Sequence, residues 1–261
     1  MSKIVDNTPL TDGDNDPGLS PINANAGFQY EVDLIRKLRS EGFKCGDPAG
    51  ADNAKADLEL TLPKNKKPTK FELKEKLSAD FAQLNMDFDT SSKQFYIDES
   101  KTSNQKEAAQ TMIGIAKNFR IIQEANNHWK PKTNMPAKFT LPNNANVEQK
   151  KAAYVLDIKR FPDKFLSKGG SLAAQQVEKY YNSKNTFYIQ IKGKGLYCLG
   201  SDPEGFGVPK FSSMVGDGSI RIRIKANSKS KGQYSFLMAL KIGTLRASSF
   251  DLDKDASFLI K

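Results

Sequence analysis

Three residues, Asp57, Glu72 and Lys74, have the types and the spacing that hydrolysis of a phosphodiester bond requires. In the stretch "FELK", Phe71 and Leu73 alternate with Glu72 and Lys74, so the acid and the lysine share one face of a predicted strand. Two converging carboxylates and a backbone carbonyl suit a hard cation such as Mg²⁺, which polarises a phosphate oxygen and activates a water molecule. A lysine beside them can stabilise the charge that develops on the phosphate. The ordinary alternative is the solvated edge of a strand.

The elements that must position these residues are a helix and a β-hairpin. In "DLELTL" three leucines alternate with polar residues, Pro63 closes this strand, and "KFELKEK" returns after the turn "KNKKP" as its antiparallel partner. In such a hairpin Asp57 and Glu72 can lie opposite each other on one polar face. The preceding stretch "FQYEVDLIRKLRSEGF" has apolar residues at helical spacing, carries Glu31, and has Gly42 placed to end the helix.

The acids, the lysine and one glutamine follow one another in an order that resembles the PD-(D/E)xK nuclease superfamily. The residues that carry the resemblance are Glu31, Asp57, Glu72, Lys74 and Gln83, the last of them in "ADFAQ". The superfamily contains restriction enzymes, recombination exonucleases and junction resolvases, and the resemblance extends over residues 27–125. This sequence departs from the motif at Ala56, where the motif has the proline that names it.

The resemblance implies a role for each matching residue. Asp57 and Glu72, with the backbone carbonyl of Leu73, would bind Mg²⁺, for which Mn²⁺ is expected to substitute. Lys74 would be the catalytic lysine. Two further residues would assist: Glu31 as an auxiliary acid from the first helix, and Gln83 close to the metal or to the scissile phosphate.

The fold class that we expect is α/β (α+β), with a restriction-endonuclease-like central mixed sheet flanked by helices and a β-rich C-terminal extension or subdomain. The stretch "TSNQKEAAQTMIGIAKNFRIIQEAN" predicts one long helix with an apolar stripe, and helices are also expected at 147–158 and 171–182. "QFYID" predicts a strand. In the last third, "SIRIRIKA" and "QYSFLMALKIGTL" predict two strands paired across "NSKSKG".

The 261-residue chain has an acidic half and a basic half. Residues 1–128 contain 17 Lys and Arg against 20 Asp and Glu, whereas residues 129–261 contain 23 against 10. This distribution favours carboxylate chemistry in the first half and polyanion binding in the second, although a merely uneven surface charge is the alternative. We predict a flexible arm over 1–24, a nuclease-like core over 25–130, and a basic helical and β-rich region over 131–261 that binds DNA and completes the sheet.

A row of cations is the predicted DNA-binding surface. Strict alternation in "SIRIRIKA" puts Arg221, Arg223 and Lys225 on one strand face and isoleucines on the other. Lys192 and Lys194 lie in a glycine-rich turn and would extend the row towards the phosphates of DNA. The alternative is the solvated face of an antiparallel sheet.

Composition excludes several classes of protein. No stretch of the sequence is long and apolar enough to cross a membrane, and the N-terminus lacks the apolar core of a signal peptide. Two cysteines, far apart in the sequence, are typical of a reducing compartment, so we expect an intracellular, cytoplasmic location. The single histidine, His128, excludes zinc-finger chemistry.

The function predicted first is a Mg²⁺-dependent DNA endonuclease, a hydrolase that uses a metal-activated water as nucleophile and forms no covalent intermediate. One alternative is an exonuclease or a structure-specific (junction) nuclease. Another, from a different class, is a DNA-binding module that has a nuclease-like fold and no catalysis. A homodimer would serve double-strand cutting, which often needs two active sites, but no residue pattern demands it.

Overall fold

Two five-stranded β-sheets and six α-helices make up the described part of the chain. The computed structural model describes residues 21–49, 56–63, 65–89, 91–100, 106–129, 146–225 and 235–260. Within these ranges, every helix is too short or too polar to span a membrane. The predicted arm therefore falls outside the described residues, apart from its last four.

The bounds of the elements are as follows. The helices are α1 (Pro21–Ser40), α2 (Lys106–Asn118), α3 (Ile121–Trp129), α4 (Val147–Arg160), α5 (Gly170–Asn182) and the short α6 (Phe211–Met214). The strands are β1 (Lys44–Cys45), β2 (Leu58–Thr61), β3 (Thr69–Lys74), β4 (Ala82–Asp89), β5 (Gln94–Tyr96), β6 (Lys164–Ser167), β7 (Tyr188–Ile191), β8 (Gly195–Cys198), β9 (Val215–Lys225) and β10 (Ser235–Leu245).

The first sheet, in the order β1-β2-β3-β7-β8, carries the predicted catalytic hairpin. Strands β2 and β3 are antiparallel, with Leu58 opposite Phe71, and this pairing confirms the predicted hairpin. On its other side β3 is parallel to β7, so that Glu72 is paired with Ile189. The expected mixed sheet with flanking helices is therefore confirmed.

The second sheet has the order β5-β4-β10-β9-β6 and is antiparallel throughout. Its longest pairing joins β9 to β10 and confirms the two predicted strands on either side of "NSKSKG". Each sheet combines strands from both sides of residue 130. The division of the chain at residue 130 stays a prediction, since the strands do not separate there.

Two apolar clusters lie on the two faces of the first sheet. In β7, Ile189 and Ile191 belong to a cluster that also holds α2, α3, α5 and the second sheet. The residue before them, Tyr188, points the other way, into a cluster formed with α1 and the C-terminal segment. By the same alternation Phe71 and Leu73 face α1, whereas Glu72 and Lys74 face α5.

Three features of the chain differ from the sequence prediction. Helix α1 begins at Pro21, inside the predicted arm. The prediction of a single long helix is wrong, because the helix is interrupted at Arg120, whose φ of 52° is left-handed. A separate helix, α3, starts at Ile121. This break turns Trp129 into the core. Strands β4 and β6 were not expected, because β4 is rich in the polar residues that strands usually lack and β6 is a short edge strand.

Candidate active site

The β2–β3 hairpin places Asp57 next to Glu72. Because Leu58 pairs with Phe71 in an antiparallel register, the residue before Leu58 lies opposite the residue after Phe71. Asp57 Oδ2 accepts a hydrogen bond of 2.9 Å from the backbone N–H of Leu73, which fixes the carboxylate against β3. The predicted juxtaposition of the two acids on one face is thus found.

Glu72 and Lys74 form a close ion pair on that same face. Lys74 Nζ lies 2.5 Å from Glu72 Oε1, and the two side chains are only 17% and 6% exposed. Side chains two residues apart in a strand point the same way, which is the local reason for the contact. In the protein these residues are therefore a nearly buried pair and not the solvated strand edge that was the alternative.

Burial and neighbouring charges shift the pKa of Asp57. Burial raises the pKa of Asp57 well above its usual value, and the neighbouring Glu72 carboxylate raises it further. Lys74 lowers this pKa and Glu31 raises it, so the helix α1 acid is close enough to Asp57 to act on its charge. Negative charge in the site therefore exceeds what Lys74 offsets.

The Glu72–Lys74 pair is held in its charged form. Burial acts to raise the pKa of Glu72, but Lys74 and Lys184, with hydrogen bonds from Lys74 and Tyr181, bring it below its usual value. Burial likewise acts to lower the pKa of Lys74, and the attraction of Glu72 and Asp57 outweighs it, so this pKa is raised. The two carboxylates therefore favour the charged form of Lys74.

Two residues that the sequence pattern does not indicate act on Glu72: Tyr181 of α5, and Lys184 in the turn after this helix. The hydroxyl oxygen of Tyr181 lies 2.9 Å from Glu72 Oε1, and the Nζ of Lys184 lies 5.7 Å from the centroid of the Tyr181 ring. At the other end of α5, Gly170 packs so closely on β9 that an added Cβ would lie 2.5 Å from the backbone of Gly216. A tyrosine pair at the end of an apolar helix, in "YYNSK", was the only signal in the sequence.

Gln83 makes its hydrogen bond in a different cluster. Its Nε2 donates to Asp80 Oδ2 at 3.1 Å, and its buried Oε1 has no hydrogen-bond partner among the described residues. Among the contacts of the described residues, it has no hydrogen bond with the two candidate ligands or with Lys74. Its predicted place beside the metal or the scissile phosphate stays a prediction that the geometry does not favour.

Strand β9 does not present the predicted row of cations to solvent. Arg223 is 2% exposed and Arg221 11%, because both guanidinium groups bind the fully buried carboxylate of Asp80. Lys241 of β10 joins them, with its Nζ 3.1 Å from Asp80 Oδ1. The side chain of Lys225 lies outside the described part of the chain. The alternation of "SIRIRIKA" is real, but both of its faces are covered, since the isoleucines lie in the core.

The glycine-rich turn between β7 and β8 lies beside the candidate site. The backbone N–H of Lys192 donates to the carbonyl oxygen of Lys74 at 2.9 Å, so the turn begins where β3 ends. The side chain of Lys192 is exposed, and its Nζ lies 5.2 Å from the centroid of the Tyr30 ring on α1. Lys194 is half-buried. Of the predicted DNA-binding residues, Lys192 is the one whose backbone the described contacts join to a residue of the candidate site.

The donor set fits a hard divalent cation. Burial, and after it the charge of Glu72, raises the pKa of Asp57, so a cation between the two carboxylates would stabilise their charged forms. Mg²⁺ is commonly held by one or two carboxylates and several waters. Within the described residues, no group of three or more acidic, histidine or cysteine side chains could hold a metal, so a larger protein cage is absent there. The two carboxylates are oxygen donors of the kind that Mg²⁺ prefers.

The comparisons with known proteins give one similarity. No protein-family model matches the sequence, and no curated protein matches it. A search of solved structures finds the HhaI endonuclease in complex with DNA, with a TM-score of 0.44 and 11% sequence identity, over 88% of this chain and 96% of that chain. At this identity and TM-score, the function of this chain has to be judged from its own side chains.

Proposed function

We propose that this protein is a metal-dependent DNA endonuclease that hydrolyses phosphodiester bonds with water as the nucleophile. The observation that carries the proposal is the cluster of Asp57, Glu72 and Lys74, in which the nearly buried Lys74 lies 2.5 Å from Glu72 and Asp57 is bound to the same strand. Surface ion pairs seldom have this burial, and strongly perturbed carboxyl groups concentrate at functional sites.

In the proposed reaction Asp57 and Glu72, with the Leu73 carbonyl, would hold Mg²⁺ or Mn²⁺. The metal, when bound, would lower the pKa of a coordinated water and polarise the phosphate. Asp57 is oriented for this role by the N–H of Leu73, and Glu72 is oriented by Lys74 and Tyr181. Two oriented oxygen ligands satisfy the first requirement of such a site.

Lys74 acts in this proposal as a fixed positive charge. The attraction of Glu72 and Asp57 outweighs burial and favours the charged ammonium, which donates a hydrogen bond to Glu72 Oε1. A cation next to the carboxylates stabilises the negative charge that develops on the phosphate in the transition state. The neighbouring Lys192 and Lys194, with Lys184 on the α5 side, would hold the DNA backbone around this point.

Cleavage of supercoiled plasmid by the purified protein tests the proposal. We expect nicked and linear products with Mg²⁺ and none with EDTA, and we expect Asp57→Asn, Glu72→Gln and Lys74→Ala each to abolish cutting. The matched control is Glu59→Gln, an acid of the same hairpin that pairs with Lys70 at 3.7 Å in a partly exposed position. Circular dichroism of each variant verifies folding. Near-normal cutting by a folded Asp57 or Glu72 variant would overturn the proposal.

The same assay separates the alternative activities. An endonuclease cuts closed circular DNA, whereas an exonuclease degrades only the linear form, and a junction nuclease cuts a synthetic four-way junction and spares both. A protein that binds DNA without metal-dependent cleavage of any of these substrates would be the non-catalytic module.

A further inference from the structure

The hydroxyl group of Tyr181 lies between two acceptors that it cannot satisfy at once. Its oxygen is 2.9 Å from Glu72 Oε1 and 2.5 Å from the backbone carbonyl oxygen of Phe81. A neutral phenol has one hydrogen to donate. The phenol of tyrosine ordinarily ionises only near about pH 10, so the hydroxyl keeps that hydrogen at neutral pH. Only one of the two acceptors receives it at any moment.

Both acceptors are shielded from water. Glu72 is 5% exposed and Phe81 is 1% exposed, so neither can readily replace a lost donor with solvent. Lys74 already donates to the same Oε1 of Glu72, whereas Tyr181 is the donor that the described contacts give to the Phe81 carbonyl. The hydroxyl therefore connects the carboxylate on β3 to the backbone that leads into β4.

Tyr181 is held rigidly enough to orient its neighbours. Its ring is 2% exposed in the core, and its own carbonyl accepts hydrogen bonds from the backbone of Lys184 and Thr186, at 2.9 and 3.0 Å. These bonds fix the end of α5. A hydroxyl on a fixed helix constrains a carboxylate better than a loop residue or a solvent molecule would.

We propose that Tyr181 is a positioning residue that holds Glu72 for metal binding and shares its single hydrogen between Glu72 and the Phe81 carbonyl. This inference rests on the proposed function, because it assigns Glu72 as a metal ligand. Removal of the hydroxyl leaves two buried acceptors with one donor fewer. Groups that orient a metal ligand in this way typically contribute about 10- to 100-fold to metal affinity or activity.

The first experiment compares Tyr181→Phe with Tyr188→Phe. Tyr188 is a matched control, because it is also buried and its hydroxyl lies 2.5 Å from a carboxylate, that of Asp202, in the other apolar cluster. Both substitutions keep the ring. Binding of Mn²⁺ without DNA is measured by electron paramagnetic resonance, and plasmid cleavage is measured against Mg²⁺ concentration. We expect about 10- to 100-fold weaker metal binding for Tyr181→Phe and a change below about twofold for Tyr188→Phe.

The second experiment needs no metal. A double-mutant cycle combines Tyr181→Phe with Glu72→Met, which removes the carboxylate at similar volume, and measures the unfolding equilibrium in urea. A hydrogen bond between the two residues predicts coupling of at least about fivefold in the unfolding equilibrium constant. The metal titration does not depend on whether the double variant folds.

The outcomes separate this inference from the proposed function. If Asp57→Asn abolishes metal binding while Tyr181→Phe binds Mn²⁺ like Tyr188→Phe, the positioning role is overturned and the proposed function stands. Coupling below about twofold also overturns it. If the unmodified protein shows no metal-dependent cleavage and no Mn²⁺ binding, both are overturned. Weakened metal binding in Tyr181→Phe alone, together with coupling, supports the inference.

Discussion

The buried carboxylate of Asp80 is the centre of an ionic cluster whose removal should be costly. Arg221 Nη2 lies 2.9 Å from its Oδ1, Lys241 Nζ lies 3.1 Å from the same atom, and Arg223 Nη2 lies 3.3 Å from its Oδ2. Gln83 adds a neutral donor at 3.1 Å. The perturbation that we consider is Asp80→Asn, which keeps the shape of the side chain and removes its charge.

The size of the effect follows from what the substitution leaves behind. Three cations with side chains 11%, 2% and 15% exposed would lose their shared anion, and an amide N–H₂ would face donors where an oxygen accepted. Removal of one partner from a buried ionic network costs about 3–5 kcal/mol of unfolding free energy. Arg221 keeps a contact of 3.6 Å with Asp163, so we expect the lower end, about 3 kcal/mol. For a chain of this size that corresponds to about 6–12 °C in Tm.

The assay is urea unfolding followed by circular dichroism, with Asp33→Asn as the matched control. Asp33 undergoes the same chemical change in an ion pair with Arg36, but it is 54% exposed. Exposed pairs of this kind contribute about 0–1 kcal/mol, so the control should unfold close to the unmodified protein.

Lys241→Met tests the same reasoning from the cationic side. Burial lowers the pKa of Lys241 despite the attraction of Asp80, so the folded protein loses unfolding free energy by keeping this ammonium charged. The variant leaves Asp80 with both arginines, and we expect a loss below about 1 kcal/mol. An Asp80→Asn variant within about 1 kcal/mol of the unmodified protein, or a larger loss for Lys241→Met than for Asp80→Asn, would refute the compensated network.

Two further predictions concern DNA binding and pH. Lys192→Ser combined with Lys194→Ser should flatten the slope of log K for DNA binding against log salt by about 1.8 units, since each phosphate contact contributes about 0.9. Fluorescence anisotropy in Ca²⁺ measures this slope. An unchanged slope would mean that other residues hold the DNA. Burial raises the pKa of Asp253 above its usual 3.8. At a pH above the raised pKa the ionised carboxylate therefore lowers the unfolding free energy, and this loss disappears as the pH falls towards 3.8. The unfolding free energy of the unmodified protein minus that of Asp253→Asn should therefore rise between pH 7 and pH 4 in urea titrations, and a fall would contradict the assignment.

Local sequence patterns are sufficient to predict the geometry of the candidate hairpin. Asp57, Glu72 and Lys74 lie within one hairpin, and the alternation of its apolar residues fixes which side chains share a face. Helix α1 and the pairing of β9 with β10 are readable for the same reason, because period and turn signals act between neighbours in the chain. The helix break at Arg120 was not predicted, because a left-handed residue inside an apolar helical pattern leaves no local signature in the sequence.

Which groups cover each face of a strand, and which groups complete the site, depends on the packing of elements that are distant in the chain. The arginines of β9 alternate as a solvent-facing row would, yet Asp80 and the cluster around it bury them, and no periodicity within β9 encodes a carboxylate 141 residues away from Arg221. Tyr181 reaches Glu72 across 109 residues through the parallel contact of β3 with β7 and the docking of α5. A sequence pattern specifies which side chains point the same way along one element. Whether that direction leads to water, to an ion pair or to a reacting group depends on which distant element packs against it.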